Sequence, residues 1–355
     1  MIPLRRKDRW RGEKVVRGRG FSYKVDLRSV GVFVALLLVA LTGVVLNVGV
    51  GEYPISPPDV VRTILGFEVV DGNYSFIVNT LRLPRALVAL LVGVALALSG
   101  AILQGLTRNP LAAPDIIGIN AGAGLAAVTL IVVFPSASAA LIPPAAFVGA
   151  VGVAALLYVI AWRGSSSPIR LILIGIGLGA IAGAATTFMI TFGNIYEVSQ
   201  ALIWLTGSVY GRSWDEVASF LPWLLVFVPL VLILSRQLNA LSLGDEVATG
   251  LGSRVERERG LLILASVALA ASAVATAGTI GFVAFIAPHI ARQLVGPNHG
   301  GLLPVSAAVG GVIVVLADLA GRTVFAPVEI PAGIITSIIG APYFLYLLYR
   351  SSRTK

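Results

Sequence analysis

Hydrophobic residues along this chain come in runs of about twenty, separated by short segments that carry most of the charge. A helix needs about 20 apolar residues to cross the ~30 Å hydrocarbon core of a bilayer. That ruler predicts spans over 29–50, 84–106, 115–134, 140–162, 168–192, 217–235, 260–278, 302–321 and 332–349. A tenth, shorter helix is predicted over 282–295, where the chain rises only about 21 Å. Thr276, Gly278, Thr279 and Gly281 lie just before it. They point to a broken helix that enters partway and turns back, with irregular backbone buried in protein or lining a cavity. The expected fold class is an all-α integral membrane protein with ten transmembrane helices.

Composition agrees. The chain is 57% hydrophobic and 12% charged, about half the ~25% charge of a soluble domain. Its net charge of +9 would suggest nucleic acid until the basic residues are located. Ten of the 26 lie in residues 1–28, directly before the first span, as in a cytoplasmic anchor near anionic lipid. With the N- and C-termini cytoplasmic and ten crossings, 21 of the 26 fall in or near the cytoplasm, which is the usual orientation. The predicted organisation is a basic tail (1–28), a ten-helix transmembrane domain (29–350) and a short tail (351–355), in the cell membrane. The loops left outside, 52–80 and 193–216, carry Glu52, Asp59, Glu68, Asp71, Glu197, Asp215 and Glu216. Within the first, residues 56–66 predict a short helix capped by Ser56 or Asp59. Gly175, Gly179 and Gly183, like Gly118 and Gly122, have the four-residue spacing that lets helices approach closely.

The chemistry is sparse. There is no cysteine, hence no disulfide framework and no thiolate metal site. The four lysines, Lys7, Lys14, Lys24 and Lys355, supply no Walker A loop. His289 and His299 have no acidic or cysteine cluster nearby in sequence. No catalytic residue, metal site or cofactor is expected on this chain. A cation-coupled carrier places an acid near the midplane. Here Asp115 stands at a helix start, and only Asp318 falls inside a span, four residues before Arg322. Asp318 therefore supports two readings, an i,i+4 ion pair or the proton site of a secondary transporter.

The most charged interior stretch, 236–259, holds four arginines and four acids between two spans. Its middle, 243–252, sets an Asp-Glu pair among small and apolar residues, as in a short helix lying on a membrane surface. Arg82, Arg85 and Arg322 break the positive-inside trend and invite an acidic docking partner.

At these residues the sequence resembles the permease subunits of iron-siderophore, haem and cobalamin ABC importers, the FecCD family. The marks are RLPR (82–85), GAILQGLTRNPLAAPDIIGINAGA (100–123), WLTGS (204–208), LGDEVATGLG (243–252), GTIGFVAFIAPHIAR (278–292), LADLAGR (316–322) and EIPAGIITSIIGAPYFLYLL (329–348). The resemblance implies a type II ABC importer permease that pairs with a second permease, identical or paralogous. It implies two cytoplasmic ATPase subunits holding ATP–Mg, and an extracytoplasmic substrate-binding protein. ATPase coupling would fall to Leu243, Gly244, Asp245, Glu246, Val247, Ala248, Gly250, Leu251 and Gly252. Docking of the binding protein would fall to Arg82, Arg85 and Arg322. The pathway would be lined by Thr186, Met189, Ile190, Phe192, Thr276, Thr279 and Phe282. The wording of 109–124 and 325–348 is most similar to ferric-siderophore members, with cobalamin and haem as alternative cargoes.

Overall fold

The computed structural model describes residues 13–18, 21–67, 72–161 and 168–352. Residues 1–12 of the basic tail, Glu68, Asp71, Arg163 and residues 353–355 lie outside them. The apolar runs fold as helices, labelled here α1 Leu27–Gly49, α2 Leu83–Thr107, α3 Ile119–Val128, α4 Ile142–Ala161 and α5 Pro168–Phe192. They continue with α6 Trp214–Ile233, α7 Val255–Ala277, α8 Val283–Val295, α9 His299–Thr323 and α10 Ala332–Ser352. Among the described residues, eight helices are long and apolar enough to cross a membrane, while Ile119–Val133 and α8 are shorter apolar helices.

Four elements depart from the sequence pattern. The third span does not begin at 115, because Pro110, Pro114 and a left-handed Gly118 (φ +83°) hold the preceding segment in turns. Helix α2 continues a helix from Asn73 through a π turn over Phe76–Arg82. Pro84 sits in the first turn of α2, where a missing N–H is tolerated. RLPR is therefore helical throughout, with the helix beginning before the predicted start at 84. The acidic outer segment contains a helix, Ile195–Thr206. The basic tail is not featureless either: Glu13–Gly18 and Phe21–Asp26 pair as antiparallel strands, with Glu13 opposite Asp26.

Local caps explain several starts. Asp26 accepts the Arg28 N–H at the head of α1. Ser56 rather than Asp59 caps Pro57–Ile64, its Oγ donating to the Asp59 carboxylate at 2.6 Å. Ser213 and Glu216 form a reciprocal capping box at the start of α6.

Helix α2 is the centre of the bundle, packed on α7, α8 and α9. Close approach there requires glycine. A Cβ on Gly100 would stand 1.7 Å from the Ala284 carbonyl oxygen, and one on Gly93 would stand 2.1 Å from that of Gly310. Helices α2 and α7 are also joined midway, where the Ser99 hydroxyl donates to the Ser266 carbonyl at 2.9 Å. Gly100→Val should therefore cost about 3 kcal/mol or more through overpacking, seen as a lower unfolding temperature in detergent. Unchanged melting would contradict this packing. The expected glycine contacts also form, Gly118 and Gly175 lying where α3 enters against α5, although a Cβ at Gly183 would meet nothing within 4 Å. Outward faces are apolar, as at Val34, Leu38 and Leu41 on α1 and Ile338 and Leu345 on α10. Such surface is stable in lipid or under a partner.

Candidate functional site

Three places converge from distant sequence. The first is the break between α7 and α8. Helix α7 stops at Ala277 because Gly278 turns left-handed (φ +71°), and Phe282 is left-handed again (φ +64°) before α8 begins. The freed backbone is satisfied by neighbours. The Ser208 N–H donates to the Ala277 carbonyl at 2.7 Å, and the Gly333 N–H donates to that of Gly207 at 3.0 Å. The Thr279 hydroxyl donates to the Leu205 carbonyl. Asp115 accepts from the Asn120 amide and from the Phe282 N–H, which ties the entry of α3 to the break. An open cavity of about 420 Å³ lies here, bordered by Thr206, Thr279, Gly281, Gly333 and Ser337. A smaller one, about 240 Å³, is walled by Phe282, Phe285 and Phe344.

Of the residues assigned to the pathway, Thr279 and Phe282 border these cavities. Thr276 is buried and bonds back to Ser272 at 2.8 Å. Thr186 is buried, Met189 and Ile190 pack near Val128 and Ile131, and Phe192 is exposed beside Phe188. The structure thus brings the broken segment together with Thr206, Gly333 and Ser337, which the sequence reading did not name. His289 contacts Gln293 at 2.8 Å and lies edge-on to Tyr343.

The second place is a charge cluster at the Leu83 end of α2. Arg85 is 8% exposed. Its Nη2 donates to Asp318 at 2.7 Å, its Nε to the same carboxylate at 3.1 Å, and its Nη1 to Glu329 at 2.9 Å. Asn47 donates to Asp318 at 3.0 Å. Arg322 approaches Asp318 to 3.9 Å and donates to the Asn47 carbonyl. Arg82 donates to the Val48 carbonyl at 2.8 Å. The i,i+4 pair anticipated for Asp318 is present, but its shorter partner is Arg85, from another helix. Both carboxylate oxygens are committed to donors, an arrangement suited to a fixed ion pair. The Arg85 guanidinium also lies 5.3 Å from the Tyr210 ring centre.

The third place is 243–252, at the opposite end of α2. Gly244 (φ +121°) and Gly252 (φ +86°) bracket a short helix, Asp245–Gly250, with conformations that only glycine adopts cheaply. Val247 and Leu251, on the helix and its C-cap, are 49% and 67% exposed, and Leu243, which precedes Gly244 outside the helix, is 65% exposed, so the segment presents an uncovered apolar stripe. Ala248 faces the other way and is fully buried in the chain's own core. Asp245 accepts from Arg108 at 2.5 Å and from Arg259 at 2.7 Å.

A bundle of apolar helices with a broken crossing, buried charge at one end and an uncovered apolar stripe at the other defines a multi-pass membrane transport protein. The sequence model of the FecCD transport family matches residues 36–350, so the chain belongs to that family. It is 49% identical over 320 residues to the Fe(3+)-citrate import system permease protein YfmE of Bacillus subtilis (strain 168), covering 90% of this chain and 94% of the relative. It is 45% identical over 331 residues to the achromobactin transport system permease protein CbrC of Dickeya dadantii (strain 3937), covering 93% and 94%. Its fold matches a chain of a metal-chelate type ABC transporter in an inward-facing conformation, with TM-score 0.81, 33% identity and coverage of 90% and 99%.

Proposed function

We propose that this chain is the permease subunit of an ATP-binding-cassette importer for ferric siderophores or related ferric chelates. It binds no cofactor of its own, and ATP–Mg sits on partner ATPase subunits. The observation that carries this reading is the exposed apolar set of Leu243, Val247 and Leu251, on and directly beside the short helix Asp245–Gly250 held at the end of α2. An apolar stripe amid charge is what a partner protein covers. Residues 236–259 face the cytoplasm in the orientation that the basic residues favour, where ATPase subunits reside. The iron-chelate permeases most similar in sequence support the cargo class.

At the other end of α2, about 37 Å away, Arg85 and Arg322 pair with Asp318 and Glu329, and Arg82 bonds to the Val48 carbonyl, so among the described residues of the cluster three cations meet two carboxylates. This leaves one positive charge, which fits an acidic face on an extracytoplasmic binding protein. An incoming carboxylate reaches Arg85 by displacing Glu329, the more exposed of its two partners. Thr279, Phe282 and the α5 and α10 faces then form the pathway with a second permease chain, opened alternately to each side by rigid-body motion.

Arg82→Glu tests the outer half. It leaves the Arg85–Asp318 pair in place while reversing one charge of the cluster. The affinity of the binding protein for the reconstituted permease should fall about ten-fold or more, measured by surface plasmon resonance on nanodiscs. Wild-type affinity would contradict docking at this cluster.

A further inference from the structure

The contacts of Asp245 link the 243–252 surface to the rest of the bundle. Its Oδ1 is shared by two guanidiniums that come from different crossings. Arg108 directly follows α2, in a left-handed conformation (φ +52°), and its Nε also donates to the Leu241 carbonyl at 3.3 Å. Arg259 lies in the second turn of α7 and is 2% exposed, with Glu256 at 3.6 Å as a further partner. Apolar contacts allow sliding. A carboxylate held by two fixed guanidiniums sets both distance and angle, and a partly buried pair is screened less by salt than an exposed one.

The two anchoring helices lead to the other two places described above. Helix α2 runs from Arg108 to the charge cluster at Arg85, and α7 runs from Arg259 to the break at 278–282. They pack along one another and are bonded through Ser99 and Ser266.

We propose that Arg108 and Arg259 are positioning residues that, through Asp245, convert displacement of the Asp245–Gly250 helix into movement of α2 and α7, and so of the broken junction. The proposal rests on ATPase docking at 243–252.

The test uses the full complex with its ATPase subunits in proteoliposomes. The chain has no cysteine, so Ser337→Cys gives a single reporter beside the cavity at the break. Its maleimide labelling rate is measured with and without ATP, alongside ATPase co-purification and hydrolysis. With the arginines intact, ATP should change the rate about five-fold or more. In Arg108→Gln with Arg259→Gln, the ATPase should still co-purify and hydrolyse ATP, while labelling becomes indifferent to nucleotide. Arg108→Gln alone, at the more exposed partner, should weaken the response and keeps the test valid if the double variant folds poorly. Arg108→Lys, which retains a charged donor, should restore most of it.

A persistent ATP response in the arginine variants overturns the proposal. So does a fall in complex yield and hydrolysis with the response intact in surviving complexes, because that is a stabilising role only. Failure of the docking reading shows separately, as ATPase co-purification indifferent to Val247→Glu, and removes both.

Discussion

Asp318→Asn will destabilise the folded protein by about 3–5 kcal/mol, the usual cost of leaving buried charge without its partner. Asp318 is 2% exposed and accepts from Arg85 and Asn47, with Arg322 at 3.9 Å. Removing its charge leaves Arg85 with Glu329 as its remaining carboxylate among the described residues, and deprives the buried Arg322 of its i−4 carboxylate. The loss should be read as a lower unfolding temperature in detergent. Adding Arg85→Met should recover part of it, because one of the two guanidiniums that faced Asp318 is then gone while Arg322 and Glu329 remain. A double-mutant cycle isolates that coupling. If Asp318→Asn melts like the unaltered protein, the cluster does not hold α2 to α9. The same residue separates two mechanisms. A proton site must exchange its proton with water during transport, whereas this carboxylate is closed off by its donors.

Val247→Glu will detach the ATPase. Val247 stands in the middle of the exposed stripe, between Leu243 and Leu251, and a charge there must be desolvated for a partner to seat. The affinity of the ATPase subunits should fall by about 30-fold, the effect of a central anchor worth about 2 kcal/mol. Folding should be unaffected because the side chain touches solvent. Co-purification at full yield would contradict the assignment of this surface. Ala248, one residue on, is the wrong place for that experiment. It is buried, so a charge there would disrupt the chain's own packing and say nothing about a partner.

The contrast between Val247 and Ala248 shows what the sequence could disclose. Hydropathy located the long apolar helices of the described residues to within a few residues, apart from Asn73–Thr107, which it began at 84, because twenty apolar residues in a row have one stable outcome in a bilayer. It missed the late start of α3, where two prolines and a left-handed glycine override apolar composition. It missed Ile195–Thr206, whose acidic start resembled a loop. It also began the second span at 84, since a π turn running into α2 has no hydropathic signature. The break before α8 was legible, as Thr276, Gly278, Thr279 and Gly281 are unusual in a buried crossing.

The charged contacts divide in the same way. Asp318 and Arg322 are four apart, a separation that helix geometry interprets directly. Arg85 lies 233 positions from Asp318, and nothing local announces that pairing. Arg108 and Asp245, 137 apart, were equally hidden. Periodicity fixes which face of a helix a residue occupies, but long-range pairing depends on how the helices are arranged around α2. For that reason Glu329, Asn47, Ser337 and Arg108 emerged only from the fold.

The most direct test of a permease worked by a separate ATPase is uptake into proteoliposomes containing the purified chain, with labelled ferric citrate and its binding protein outside. Accumulation should appear only when the partner ATPase subunits are co-reconstituted and ATP is present on their side. Accumulation by the chain alone, driven by an imposed pH gradient and abolished by Asp318→Asn, would contradict it.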